Sequence, residues 1–535
     1  MSIPAARVAL RSNLLPIVFY LVMFTLLTWP LMLRLPTHFF ADDGDGLQNV
    51  WNLWWVARAV SEGASPWWTA HLHHPGGVSL LGHTLNPFNG FVALPLSRAF
   101  GPVVAHNLIV VGAFVIAGLT AFHLSLHLMK DRRGSLLAGF LFTFSSYHFA
   151  HAEGHLQLVS LQWIPLFLLL WIRLLERPSI AIAIAASGAL VLVLLCDYYY
   201  FGFCVLAAIV VAAARRDLLR PEHRAPLGTF LAAAIVTCGP LLGALSLLAL
   251  RDPLTGAHAA REFSLDLAAA WIPGGHWRFA ALTRPLWSRL PGNIHESSVA
   301  TGIAASVLAV LAARRGGLGP WTRAIAVAGA VFFLLALGPV LQVAGVAVLP
   351  GMPYAWLEVL LPPLRLGGTP VRMIVMTLLA ISILAGAGWR ILAEGPRALR
   401  IVAGAALLAI LLETLPRPLP TTRAETPAYV AALRDLPPGA AVDLLHPPAR
   451  ALYYQTIHER PMAFGYLSRL PASVAERDAR ISEAIRGFDF IALCRDFDLH
   501  FAIVGPGPDG LESMPGVEVA YRDDQARILR LRCSL

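Results

Sequence analysis

Three carboxylates stand within four positions near the N-terminus: Asp42, Asp43 and Asp45, with Gly44 between them. Like charges this close disfavour one another's ionisation, and perturbed carboxylates concentrate at functional sites. A partly desolvated carboxylate can take a proton from a hydroxyl group as a general base. We therefore predict that at least one of the three is catalytic or ligand-binding, with Asp45 the first candidate.

A purely structural role is the alternative for one of these residues. Asp45 and Gln48 have the spacing of a capping box, and Asp is favoured near a helix N-terminus. The helix that would follow carries Trp51, Trp54 and Trp55 on one face, at i, i+3 and i+4. Trp prefers the membrane–water interface, so the pattern predicts a helix lying on a membrane surface.

Further candidates lie in the loops between apolar runs. Glu153 and His155 stand at the end of a run, where ionisable groups are costly and are usually used or paired. Arg365 and Arg372 could bind lipid phosphate non-specifically or clamp a substrate phosphate. The full set of loop candidates is His71, His73, His74, Glu153, His155, Asp197, Arg261, Glu262, His276, Arg278, His295, Glu296, Arg365 and Arg372. The HLHH motif (71–74) fits a surface loop better than a ligand set. No metal site or cofactor is predicted, and a need for a divalent metal stays open.

The composition indicates the class of protein to which these candidate residues belong. The chain has 535 residues, of which 57% are hydrophobic and 14% charged, with a mean hydropathy of +0.64. Soluble domains carry about 25% charged residues, so the sequence indicates an integral membrane protein. The net charge of +9 comes mostly from Arg in short loops between apolar runs. That pattern indicates membrane orientation rather than nucleic-acid binding.

The apolar runs predict about eleven spans with the N-terminus in the cytoplasm. Arg7 and Arg11 precede the first run, which has no cleavage site after it and is therefore interpreted as an uncleaved signal anchor. The predicted spans are about 14–33, 105–128, 135–149, 158–174, 179–196, 201–214, 226–250, 299–313, 322–341, 373–392 and 399–414. The larger loops, a first outer loop 34–104 and a second at 251–297, then lie outside the cell membrane.

The composition becomes polar from about residue 416, after which RPLP (417–420) is interpreted as a linker. Alternating and β-branched segments predict strands at 440–445, 501–505, 517–523 and 526–532, and helices at 427–436 and 472–487. We therefore expect a multi-span domain, 1–415, and an extracytoplasmic small α/β domain, 416–535. Cys494 and Cys533 could pair if this domain is outside the cytoplasm.

This plan resembles the GT-C superfamily of integral membrane glycosyltransferases, particularly uncharacterised bacterial members and YfhO-like membrane proteins. The resemblance covers the whole chain in plan. The segments that support it are GDGLQNVWNLWW (44–55), EGHLQLVSLQWIP (153–165), GNIHESSVATG (292–302) and the Arg-bearing segment before the tenth span.

The resemblance implies an enzyme of the bacterial cell envelope, in the cytoplasmic membrane. Such an enzyme moves a sugar from a polyprenyl-phosphate-linked donor to a saccharide, lipid or protein acceptor on the outer face. The catalytic first-loop acid corresponds best to Asp45, with Asp42 and Asp43 as neighbours. Residues for the donor phosphate and substrate would be Glu153, His155, Glu296, Arg365 and Arg372.

Two other classes of function stay open. The protein could transport or flip a lipid-linked saccharide, or it could be a non-catalytic membrane protein of envelope assembly. A transporter is expected to have polar or broken helices at mid-membrane. The predicted spans are almost wholly apolar at their centres, and their polar groups collect at one end, which favours chemistry at the membrane surface.

Overall fold

The computed structural model describes residues 3–362, 364–507 and 510–534, without the side chains of residues 3–12 and hence of Arg7 and Arg11. Within this part, five helical segments are long and apolar enough to cross a membrane: Pro102–Met129, Leu156–Glu176, Pro221–Arg251, Gly319–Ala336 and Pro370–Ala393. Shorter apolar helices are Asn13–Leu27, Ile180–Cys196 and Tyr198–Ala214. The chain is a multi-pass helical membrane protein, as predicted, while the count of eleven spans stays a prediction.

The α-helices follow one another along the whole chain. They are Ile3–Leu27, Asp45–Ser61, Pro87–Phe100, Pro102–Met129, Arg132–Thr143, Ser146–His151, Leu156–Val159, Trp163–Glu176, Ile180–Cys196, Tyr198–Ala214, Arg224–Arg251, Arg284–Trp287, Ile294–Ser297, Ile303–Arg315, Thr322–Ala336, Pro353–Leu360, Leu364–Gly367, Ile374–Ala393, Arg397–Thr414, Ala428–Asp435, Pro448–His458, Ala472–Arg486 and Phe490–Phe497. The strands are His38–Phe39, Trp68–Thr69, Val78–Ser79, Leu254–Thr255, Val340–Val343, Val346–Pro350, Thr422–Arg423, Ala440–Asp443, Leu470–Pro471, Leu499–Val504, Val517–Arg522 and Arg527–Leu531.

The described residues divide into two compact units. Unit 1 contains residues up to Arg34, Leu108–Pro240 and Ala257–Leu419; unit 2 contains Leu35–Asn107, Leu241–Gly256 and Pro420–Leu535. This division differs from the predicted domains, because the first outer loop groups with the C-terminal tail rather than with the spans.

Unit 1 is organised around helix Ile374–Ala393, which is buried along most of its length. Its main neighbours are Arg132–Thr143, Ile303–Arg315 and Thr322–Ala336. A Cβ added at Gly386 would lie 2.3 Å from the backbone oxygen of Gly134. Glycine at this position therefore allows two helices to approach at backbone distance, as is common between membrane helices.

The predicted span at 135–149 is two helices rather than one. Helix Arg132–Thr143 ends, and Ser146–His151 begins after Ser145, whose hydroxyl accepts the backbone N–H of His148 at 3.4 Å. Ser offers the backbone such a local alternative to continued helix. Glu153 lies in the turn between this second helix and helix Leu156–Val159.

Unit 2 contains the predicted C-terminal sheet. Its strand order is Val517–Arg522, Arg527–Leu531, Leu499–Val504 and Ala440–Asp443, with only the last pair parallel. All four strands and both predicted helices of the tail are present, so the small α/β element of the fold class is confirmed. Cys494 and Cys533 form a disulfide.

The tryptophan helix Asp45–Ser61 lies inside unit 2. Trp51 is 0% exposed and Trp55 4%. The Trp51 indole donates to Gln455 Oε1 at 2.7 Å, on helix Pro448–His458. The prediction that the tryptophan face lies at the membrane surface is therefore wrong for Trp51 and Trp55, while Trp54 is partly exposed. An amphipathic pattern indicates that one face of a helix is buried but not what that face packs against. Here it packs against the C-terminal tail.

Candidate functional site

The three carboxylates of the first loop have different surroundings in unit 2. Asp42 Oδ1 accepts the backbone N–H groups of Gly44 at 3.0 Å and Gly46 at 2.8 Å, so it fixes the turn before the helix. Asp45 is the first helical residue, and the N-cap is Gly44, which makes no side-chain cap bond. The capping-box interpretation of Asp45 is therefore wrong: the Gln48 N–H donates to the Gly44 carbonyl at 3.3 Å, and the Gln48 side chain bonds Tyr466 instead of the Asp45 backbone.

Asp45 is paired with a hydroxyl group. The Tyr466 phenol donates to Asp45 Oδ1 at 2.7 Å, and the Gln48 amide donates to the Tyr466 carbonyl at 2.5 Å. These two bonds fasten Tyr466 to the first turn of the helix. By contrast, the Asp43 side chain is 77% exposed and lies 3.7 Å from Arg450.

Glu153 is the centre of a buried polar network in unit 1. Arg417 donates to its two carboxylate oxygens, from Nε at 3.0 Å and from Nη2 at 2.7 Å. His276 Nε2 lies 3.1 Å from Glu153 Oε2. Burial raises the pKa of the Glu153 carboxyl, but hydrogen bonds from His276 and Arg417 outweigh this effect and lower the pKa to about 2. Glu153 is therefore a carboxylate at neutral pH.

Two imidazoles adjoin this carboxylate. His276 Nδ1 is 2.7 Å from the Ser298 hydroxyl, and burial lowers the pKa of His276, so its ring is neutral at neutral pH. His295 Nδ1 lies 3.8 Å from Glu153 Oε2 and 3.2 Å from the Ala150 carbonyl. Glu153 Oε2 thus contacts both a guanidinium and an imidazole, which are themselves 3.3 Å apart.

The network continues to a second acid–arginine pair. The Nδ1 atoms of His155 and His151 are 3.2 Å apart, and His151 Nε2 lies 3.8 Å from Glu296 Oε2. Arg372 donates to Glu296 Oε1 from Nε at 2.9 Å and Nη2 at 2.6 Å, and it stacks over the Tyr199 ring. His151 Nε2 and Glu296 Oε2 are buried without a hydrogen-bond partner among the described atoms, so the middle of the network has unused polar capacity.

Local sequence features bring these side chains together. Asn293 Oδ1 accepts the Glu296 N–H at 2.9 Å and so starts the short helix that carries His295 and Glu296. Gly275 lets the segment with His276 approach that helix, because a Cβ there would lie 2.3 Å from Ile294 Cδ1. The Arg417 N–H donates to the His276 carbonyl at 2.8 Å, which fixes the predicted linker beside the network.

Four of the residues predicted for donor and substrate binding, Glu153, His155, Glu296 and Arg372, belong to this one network. Arg365 is exposed on helix Leu364–Gly367. His71, His73 and His74 lie in unit 2, the last two against Asp478 and Asp498. The sequence analysis missed Arg417 and His151, and it gave no role to His276 or His295. A histidine next to Gly-Gly, as in GGH (274–276), was the available signal for His276.

Metal-ligand side chains form two groups among the described residues. Glu153, His276 and His295 have ligand atoms within 4.8 Å of one another. The second group, Cys494, His500 and Cys533, does not fit a metal, because its cysteines form a disulfide.

Comparison with known proteins identifies the fold. No protein-family model matches the chain, and no curated protein is similar to it. Solved structures do match, and they define the class: the chain has the fold of the GT-C membrane glycosyltransferases.

Two of these structures are ArnT from Cupriavidus metallidurans. ArnT bound to undecaprenyl phosphate matches with a TM-score of 0.52 and 12% identity, over 96% of this chain and 97% of ArnT. Apo ArnT gives a TM-score of 0.52 at 13% identity, over 96% and 98%. Arabinofuranosyltransferase AftD from Mycobacteria matches with a TM-score of 0.58 and 14% identity, over 98% of this chain but only 42% of AftD. At these identities the likeness concerns the fold.

Proposed function

We propose that this chain is a membrane glycosyltransferase that moves a sugar from a polyprenyl-phosphate-linked donor to an acceptor hydroxyl. The fold is shared with ArnT, which binds undecaprenyl phosphate, and this supports a lipid-phosphate donor. The observation that carries the proposal is the Asp45 carboxylate, to which a hydroxyl group already donates at 2.7 Å. That oxygen–oxygen distance lies in the range of about 2.6–3.2 Å within which a general base takes a proton from a hydroxyl group.

Asp45 is the proposed base. The acceptor oxygen would bond to the anomeric carbon as the bond from that carbon to the donor phosphate breaks, and Asp45 would take the acceptor proton. The Asp45 side chain is partly exposed, so an acceptor can reach it. Asp42, which fixes the turn, and Asp43, which adds negative charge, would support it without accepting the proton.

The unit 1 network is the proposed site for the donor phosphate. A departing phosphate needs positively charged or hydrogen-bonding groups. Arg417 and His295 are the accessible ones, with side chains 37% and 22% exposed, and His155 adjoins them. Arg372 is buried against Glu296, so we assign this pair to positioning, with Glu153 holding Arg417. Arg365 would attract the donor from the surface.

We place the N-terminus in the cytoplasm, and the tail and first loop outside, in the cytoplasmic membrane of a bacterium. Arg in alternate loops supports this orientation. The Cys494–Cys533 disulfide also supports it, because disulfides persist outside the cytosol.

Sugar transfer in membranes that carry each variant at matched expression tests the proposal. Asp45→Asn retains size but cannot act as a base, so transfer from a labelled polyprenyl-phosphate sugar should fall by about 10²–10⁴-fold. Asp43→Asn is the matched control and should retain most activity, since that side chain is exposed.

Full activity of Asp45→Asn would overturn the assignment of the base. If the parent transfers sugar from none of the lipid-linked donors tried, the enzyme proposal fails. Movement of such a donor across proteoliposomes would then favour a transporter, and its absence an assembly protein.

A further inference from the structure

The ligand set around Glu153 has the chemistry of a zinc site. Zn²⁺ in proteins binds carboxylate oxygen and imidazole nitrogen at about 2.0–2.2 Å, in tetrahedral geometry. Two ligand atoms of such a tetrahedron are therefore about 3.4 Å apart. Glu153 Oε2 lies 3.1 Å from His276 Nε2 and 3.8 Å from His295 Nδ1. Rotation of the His295 ring, which exchanges the 3.2 Å contact of Nδ1 with the Ala150 carbonyl for the ion, gives metal-binding distances.

Neighbouring groups already orient two of these ligands. Ser298 Oγ lies 2.7 Å from His276 Nδ1, which directs Nε2 toward Glu153, and Arg417 Nε donates to the other oxygen of Glu153. Such outer hydrogen bonds are typical of zinc ligands. Glu153 and His276 are buried, while His295 is partly exposed, so solvent reaches the site at His295, and three protein ligands would leave a fourth position for water.

Arg417 occupies the position that an ion would take. Its Nη2 atom lies 2.7 Å from Glu153 Oε2 and 3.3 Å from His276 Nε2, and so bridges the two best-placed ligand atoms with a positive charge. Arg417 is also the most exposed member of this group. Its guanidinium can therefore leave the oxygen without unfolding the segment, whose backbone stays bonded to the His276 carbonyl.

We propose that Glu153, His276 and His295 form a Zn²⁺ site for which the Arg417 guanidinium competes. The protein then has two states, one in which Arg417 neutralises Glu153 and one in which the ion does. The site uses none of Asp42, Asp43 and Asp45, and the inference does not depend on the proposed sugar transfer.

Metal binding to the full chain in detergent, without a histidine tag, tests the inference. After treatment with a chelator, the protein is equilibrated with Zn²⁺ or with Co²⁺ as a coloured probe. Metal content and the visible absorption of low-coordinate Co²⁺ are then measured. We expect one equivalent per chain. Glu153→Gln and His295→Gln should each weaken binding by at least about tenfold, and Arg417→Gln should strengthen it by at least about tenfold.

His127→Gln is the matched control, since His127 Nε2 is 2.8 Å from Glu176 in a second His–Glu pair of unit 1; it should bind like the parent. If Glu153→Gln does not fold, the partly exposed His295 still tests the site. Binding by both His295→Gln and Glu153→Gln at the affinity of the parent would overturn the site, as would no binding by either the parent or Arg417→Gln. Unchanged or weaker binding by Arg417→Gln would overturn the competition.

Discussion

Asp42, Asp43 and Asp45 show how neighbouring residues of one type take different roles. The sequence analysis preferred Asp45 because it stands directly before the tryptophan helix, and the structure makes it the first residue of that helix. No local pattern indicated Tyr466, because this partner lies 421 positions away. The start of the helix was thus predictable to within one residue, whereas the long-range hydrogen bond was not.

Tyr466 should matter to catalysis through its bond to Asp45. Tyr466→Phe removes a donor to the carboxylate, a bond worth about 0.5–1.5 kcal/mol, so the carboxylate becomes less well oriented. We expect transfer to fall by up to roughly tenfold. Tyr429→Phe is the control, since that hydroxyl bonds His446 in the same unit. A rate of transfer by Tyr466→Phe equal to that of the parent would contradict this role.

Glu153 should make the stability of the protein depend on pH. Its pKa falls from an ordinary 4.5 to about 2 in the folded chain. This stabilisation, on the order of 3 kcal/mol, is present above pH 4.5 and is lost as the pH falls from 4.5 to 2. In detergent, the melting temperature of the parent should be well above that of Glu153→Gln at pH 7. The difference between the two melting temperatures should shrink toward pH 3. A gap that is independent of pH would contradict the prediction.

At the scale of elements, Gly275 should control how closely the segment with His276 packs. In Gly275→Ala, the new Cβ would lie 2.3 Å from Ile294 Cδ1 and 2.7 Å from Cγ1, so the segment must shift, at a cost of about 1–3 kcal/mol. Ile294→Val removes the nearest atom. Cγ1 would still lie 2.7 Å from the new Cβ, so we expect partial rescue: the double variant should lose less thermal stability than the two single variants lose in sum. Additive losses would contradict the close approach.

Elements with strong local patterns were the predictable ones. The tail strands have alternating or β-branched residues, and the membrane helices have long apolar runs. The hairpin of Val340–Val343 and Val346–Pro350 was missed, because its turn uses Ala344 and Gly345, both with positive φ, in place of the commoner Asn-Gly. Arg417 was taken for part of a linker, since its carboxylate partner lies 264 positions away.

At the scale of the whole molecule, the tail should depend on the first loop for stability. Phe39 stacks edge-on against Tyr453 at 5.5 Å, and Leu47 and Val50 share a core with Tyr429 and Tyr453. A fragment from residue 420 alone would expose this surface. We expect it to melt without cooperativity or at low temperature, and a fusion of 35–107 to 420–535 to melt cooperatively at a higher temperature. Equal cooperative melts would contradict this dependence.

The division of unit 2 between distant parts of the chain has a consequence for its synthesis. Residues 35–107 leave the ribosome early, but their partner begins at residue 420. At about 5–20 residues per second, the intervening segment takes roughly 15–60 s to make. During that interval the tryptophan helix has no tail to cover it, and its apolar face is free to aggregate. The fold of the first loop is therefore completed only after residues 420 onward have been made.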